Sequence, residues 1–181
     1  MFVCLLIRHA ESEQADVLGR RAQAGLTYEG KRQSEILAEE IAALHPDAIY
    51  SSPLTRAVQT AAVLADRLGL AVQIGEPLRE MDFGEWDGQT PTGLAHLAAW
   101  RQFNSVRSRS RCPGGESMRE VQRRTVSFLE RLGARHPNGA VACISHADVI
   151  RAALCQYRGI SLDDFLTLEV APASVHRVAL A

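Results

Sequence analysis

The chain has 181 residues, 46% of them apolar and 23% charged, a balance that excludes disorder as the main state and suits one soluble domain with a real core. Its formal net charge is −1, so nothing in the bulk electrostatics draws it to nucleic acid or to an anionic membrane, and its longest apolar runs are far too short to span a bilayer. The four cysteines lack CxxC spacing, which predicts neither a disulfide framework nor a zinc site.

In chain order, residues 2–7 (Phe-Val-Cys-Leu-Leu-Ile) predict a strand buried on both faces. This run leads straight into Arg8, His9 and Glu11 instead of a cleavage site, so the expected location is the cytoplasm. Residues 12–27 are polar and Gly-containing and predict a loop. Thr27 is positioned to cap a helix whose stripe of Ile36, Leu37, Ile41 and Leu44 ends at His45-Pro46. Residues 48–51 predict a second strand, residues 54–68 a helix closed by Gly69, and residues 70–74 a third strand. A long irregular stretch follows; residues 80–115 are expected to form a lid or insertion within a single domain spanning 1–181. Residues 116–132 predict a helix, residues 140–144 a strand, and Ile150, Ala153 and Leu154 mark a further helix before a last strand at 175–180. Strands alternating with helices predict a three-layer α/β/α fold, with a mostly parallel central sheet and helices on both faces.

Ligands in such sheets bind beyond the carboxyl ends of the strands. There the sequence delivers Arg8-His9, Ser145-His146 and Ser52-Pro-Leu-Thr-Arg56, and a helix N-terminus beside Ala147 and Asp148 adds backbone N–H donors. Two arginines, two histidines and a helix N-terminus suit a phosphoryl group. Glu11 and Asp148 do not make a carboxylate cluster of the kind magnesium takes, two histidines are too few for catalytic zinc, and the P-loop ending is absent, so no metal or other cofactor is expected. Glu11, Ser12 and Ser145 are candidates to orient the histidines. The Arg107-Ser-Arg-Ser-Arg111 run reads as a solvated loop or as an anion-reading lid, and Trp86 and Trp100 as core residues or as leaving-group contacts.

Arg8-His9-Ala10-Glu11-Ser12 resembles the Arg-His-Gly-Glu-Thr/Ser signature of the histidine phosphatase superfamily, also called phosphoglycerate mutase-like. Leu26-Thr27-x-x-Gly30-x-x-Gln33, the block from Ser51 to Ala61 and Ser145-His146-Ala147 match its further blocks in order, across essentially the whole chain. The segment Leu78–Gly88 is similar to that of alpha-ribazole phosphatases and small broad-specificity phosphatases. Ala10 and Ala147 stand where the family places glycine, and Ala15 where many members place asparagine.

The resemblance implies a metal-independent phosphomonoesterase acting on a small phosphate ester, with alpha-ribazole 5'-phosphate a candidate. It implies His9 as the nucleophile that becomes phosphohistidine, Arg8, Arg56, His146 and the Ala147 backbone as phosphate ligands, and Glu80 as general acid with Asp82 its competitor. The alternatives are phosphoglycerate mutase-type transfer to a second substrate and a phosphoryl-binding module without turnover. Neither oligomeric state nor pathway is legible.

Overall fold

A computed structural model describes residues 1–21 and 23–180. The five strands are β1 (Phe2–Arg8), β2 (Ala48–Ser51), β3 (Val72–Ile74), β4 (Ala140–Ser145) and β5 (Val175–Leu180). They form one sheet in the order β3-β2-β4-β1-β5. All neighbours pair in parallel except β1 and β5, which closes one edge antiparallel. The period-2 alternation of β1 divides its apolar run between two cores. Leu5 and Ile7 face α1 (Tyr28–Ala42) and α2 (Thr55–Leu68). Cys4 and Leu6 face α5 (Met118–Arg135) and α6 (Ala147–Arg158). β4 splits the same way, with Ala142 and Ile144 in the first core and Val141 and Cys143 in the second. The expected three layers are therefore present, because each central strand has two apolar faces to cover.

Local chemistry sets the helix ends. Ser117 and Glu120 form a reciprocal capping box at the start of α5. Gly69 and Gly159 close α2 and α6 in the left-handed conformation, at φ 67° and 65°. The Thr27 hydroxyl oxygen accepts the Gly30 N–H at 2.9 Å and its O–H donates to Glu11 at 2.8 Å, which ties the chain after β1 to the start of α1. Gly30 is required there, since a β-carbon would overlap the Glu11 carbonyl oxygen. Gly30→Ala is therefore expected to lower the urea midpoint by an amount equivalent to about 1–3 kcal/mol.

The stretch between β3 and α5 is built into the second core. It carries short helical turns at Glu76–Leu78 and Gly84–Trp86, then α3 (Pro91–Leu94) and α4 (Ala98–Ser105). Phe83, Trp86, Leu94, Trp100, Phe103 and Cys112 are buried in it. Trp86 meets Trp100 edge-on at 5.2 Å, so both are core residues, not leaving-group contacts. The Arg107–Arg111 run is solvated at Arg109 and Arg111 but not at Arg107, so its arginines do not form a single anion-reading face. Arg107 is 4% exposed, stacked between Phe165 at 4.0 Å and Phe103 at 4.6 Å, and paired with Asp148 at 3.3 Å. Arg109 and Arg111 are both exposed, and Arg111 pairs with Glu120.

Candidate active site

In the sheet register, Arg8 lies opposite Ser145, and Ser51 opposite Ile144. The chain thus leaves β1, β4 and β2 at nearly one level, and the residues that follow converge. His9 and His146 approach to 5.1 Å between ring centroids. Arg56, on the first turn of α2, bridges them: its Nε donates to His9 Nε2 at 3.2 Å and its Nη2 to His146 Nδ1 at 3.3 Å. Glu80 Oε2 stands 3.8 Å from the same Nδ1. Arg8, Glu80 and Ala147 line one cavity of about 240 Å³ beside these rings, with Ala15, Val17, Leu18, Phe83, Pro91, Asp148 and Arg151. The structure accordingly brings His9, Glu80, Arg8, Arg56, His146 and Ala147 together at one strand-end site.

The hydrogen bonds fix the tautomers. His9 Nδ1 lies 2.7 Å from the Ala10 carbonyl, which only accepts, so Nδ1 carries the proton and Nε2 presents its lone pair. His146 receives Arg56 at Nδ1 and donates from Nε2 to the Ser52 hydroxyl at 2.8 Å. Burial first, then the Arg56 and Arg8 guanidiniums, pushes the His9 pKa down to about 3. Burial, together with His9 and Arg56, holds His146 well below the usual imidazole range. Both rings are therefore neutral at physiological pH.

Glu80 is shifted the other way. Burial and the nearby Asp148 charge raise it to about 7, against the opposing pull of Arg56, the Met81 N–H and Arg124. Its backbone is clamped: the Glu80 carbonyl accepts from Arg20 Nε at 2.7 Å and Arg124 Nη2 at 3.4 Å. Arg20 and Arg124 are both held in turn by Glu116. Asp82, the competing carboxylate, accepts from the Gly84 N–H and Arg20 and does not line the cavity.

The expected histidine-orienting side chains act elsewhere. Glu11 receives Thr27, and Ser145 Oγ donates to the Leu78 carbonyl at 2.7 Å. Ser12 sits in a bridge with Leu26. Orientation comes instead from the Ala10 carbonyl, Ser52 and Arg56. Ser52 lies inside the recognised block and Arg20 in a featureless loop, and neither carries a sequence signal of its partner. A neutral imidazole whose Nε2 lone pair accepts from a bridging guanidinium, and a carboxyl that keeps its proton up to about pH 7, form a set that can attack an electrophile, neutralise an anion and release a proton.

Among the described residues no group of three or more His, Cys, Asp or Glu side chains is placed to hold a metal ion, and no helix is long and apolar enough to cross a membrane.

The chain is 35% identical over 170 residues to phosphoserine phosphatase 1 of Hydrogenobacter thermophilus, covering 91% of this chain and 80% of that protein. It is 31% identical over 180 residues to glucosyl-3-phosphoglycerate phosphatase of Mycolicibacterium vanbaalenii, covering 91% and 77%. Among solved structures, phosphoserine phosphatase of Entamoeba histolytica in complex with 3-phosphoglyceric acid superposes with a TM-score of 0.87 at 25% identity, over 98% of this chain and 90% of that one. Bacillus stearothermophilus YhfR shares the fold at a TM-score of 0.92 and 22% identity, over 100% and 92%. The family model for the histidine phosphatase superfamily (branch 1) matches residues 4–181, and the chain belongs to that superfamily and is a phosphatase of the histidine type.

Proposed function

We propose that the protein hydrolyses a small phosphomonoester through a phosphohistidine on His9. The observation that carries this reading is the His9 tautomer: the Ala10 carbonyl accepts from Nδ1–H, and Nε2 is left as a lone pair that accepts from Arg56. On binding, the phosphoryl oxygens would take the Arg56 N–H donors now aimed at the two rings, with Arg8 and the Ala147 N–H completing the cradle. His9 Nε2 then attacks phosphorus and the ester P–O bond breaks. Glu80 gives its proton to the departing alkoxide. A water attacks the phosphohistidine, passes a proton to Glu80 and releases inorganic phosphate, restoring neutral His9. The arginines spread the charge of the phosphoryl group in flight, which is the main electrostatic task in phosphoryl transfer.

A cavity of about 240 Å³ is smaller than a typical drug-sized site, which favours a leaving group of a few carbons. The phosphoserine phosphatase among its relatives supports an ester of that kind, the glucosyl-3-phosphoglycerate phosphatase a larger one, and the resemblance of Leu78–Gly88 points to alpha-ribazole 5'-phosphate. A panel of phosphomonoesters with magnesium chelated separates these substrates. Release of inorganic phosphate agrees with hydrolysis; conversion of 3-phosphoglycerate to its 2-isomer without phosphate release would replace it with mutase chemistry.

Glu80→Gln tests the proton donor. Gln cannot protonate an alkoxide, so kcat on an alkyl phosphate is expected to fall by about 10²–10⁴. With p-nitrophenyl phosphate, whose leaving group needs no proton, the transfer step is expected to fall far less. The wild-type kcat/KM should be flat above the low His9 pKa and decline as pH rises through about 7, where Glu80 loses its proton. Stability falls in the same direction as activity. Between the ordinary carboxylate range and about 7 the folded chain holds a Glu80 proton that the unfolded chain has lost, so this contribution to stability disappears as pH rises through that window. Above pH 7 Glu80→Gln is therefore expected to unfold at higher temperature than wild type, by an amount on the order of 2–3 kcal/mol.

A further inference from the structure

We infer that Arg151 reads an anionic group, a carboxylate, on the leaving group of the substrate. This rests on the phosphatase reading above and assigns a role to one charged wall of the cavity.

Arg151 lies on the second turn of α6 and lines the same cavity as Arg8 and Glu80. Its guanidinium is held by three contacts. Nε donates to the Leu168 carbonyl at 2.9 Å, Nη1 donates to Asp148 Oδ1 at 3.2 Å, and the group sits 5.7 Å from the Phe165 ring centroid. The side chain therefore has little rotamer freedom left to lose on binding a ligand. Its Nη2 makes no hydrogen bond among the described residues and is not sealed from solvent.

Asp148 does not cancel this charge. Its two oxygens are divided between Arg151 and the buried Arg107, so one carboxylate serves two guanidiniums and the wall keeps one positive charge in excess. Asp148 meets Arg151 through one nitrogen rather than a bidentate fork, which leaves the outer edge open to a second carboxylate. Val17, Leu18, Phe83 and Pro91, which line the same cavity, are apolar and offer no competing polar side chain. The remaining acidic group, Asp16, is exposed at the rim. A short carbon chain carrying phosphate at one end and carboxylate at the other would meet Arg8 and Arg56 with the first and Arg151 with the second.

The test compares kcat/KM for two esters of equal carbon number, 3-phosphoglycerate and glycerol 3-phosphate, which differ in a carboxylate against a hydroxymethyl group. Phosphoethanolamine, with an amine and no carboxylate, is the third probe. Wild type is expected to favour 3-phosphoglycerate by about tenfold or more. In Arg151→Gln the preference should fall toward unity, mainly through KM, and Arg151→Lys should restore part of it. Because the readout is a ratio of two substrates on one preparation, a partly unfolded variant lowers both rates and leaves the ratio intact. An unchanged ratio in Arg151→Gln, or a wild type that prefers glycerol 3-phosphate or phosphoethanolamine, overturns the assignment of Arg151. Phosphate release from all three esters without preference, or from p-nitrophenyl phosphate alone, removes the Arg151 assignment; no release from p-nitrophenyl phosphate or from any of the three removes the phosphomonoester reading with it.

Discussion

His9→Ala is expected to lower kcat/KM by about 10⁴-fold or more on every phosphomonoester the wild type hydrolyses, p-nitrophenyl phosphate included. The leaving group cannot rescue it, because the loss falls on the bond-forming atom and not on the proton donor. Here it differs from Glu80→Gln, whose defect depends on how basic the leaving alkoxide is. The variant should fold: the ring is removed from a site whose hydrogen-bond partners, Arg56 and the Ala10 carbonyl, can be reached by water once the imidazole is gone. Steady-state kinetics with a urea melt on the same sample checks both halves. A variant that melts like wild type and keeps a tenth of its activity contradicts the nucleophile assignment.

Arg56→Ala carries the second large expected effect, a loss of about 10³-fold or more in kcat/KM. Deleting a single oxyanion donor commonly costs 10²–10³, and Arg56 presents two donors to the point where the rings converge. Arg56→Lys should recover little, since an ammonium is a point charge and cannot span His9 and His146 with a planar fork. The variant has a second signature. Arg56 is one of the causes that depress the His9 pKa, after burial, so removing it lets that pKa rise. The acid limb of the residual kcat/KM profile should therefore move to higher pH, because protonated His9 cannot attack. A uniform loss of rate with the acid limb unmoved would mean that Arg56 acts on substrate binding alone.

The sequence carried the parts of this site that lie next to strands. Runs such as Phe2–Ile7 and Ala140–Ile144 are apolar on both faces because helices cover both faces, and that signal is local. A parallel sheet then sends whatever follows each run to one edge, which is how Arg8-His9, Arg56 and His146 are legible before any coordinates. What was not legible depends on contacts between residues far apart in the chain. Arg107 sits in a Ser-Arg repeat that reads as solvated, yet Phe165 forms one side of its slot. The Glu80 backbone is held by Arg20 from an irregular loop, and His146 is oriented by Ser52 across 94 positions. The second-sphere roles expected of Glu11, Ser12 and Ser145 failed for the opposite reason. Proximity in sequence to a histidine does not aim a side chain at its ring: Glu11 accepts from Thr27 and Ser145 donates to the Leu78 carbonyl, while Ser12 lies in a backbone bridge with Leu26.

The covalent intermediate itself tests the account most directly. A ³²P-labelled phosphomonoester mixed with enzyme and quenched in base within the first turnover should leave label on one peptide, the one containing His9. The label should survive base, be lost in acid, and form and decay at least as fast as kcat. Turnover that proceeds with unlabelled protein, or with label on a residue other than His9, would contradict it.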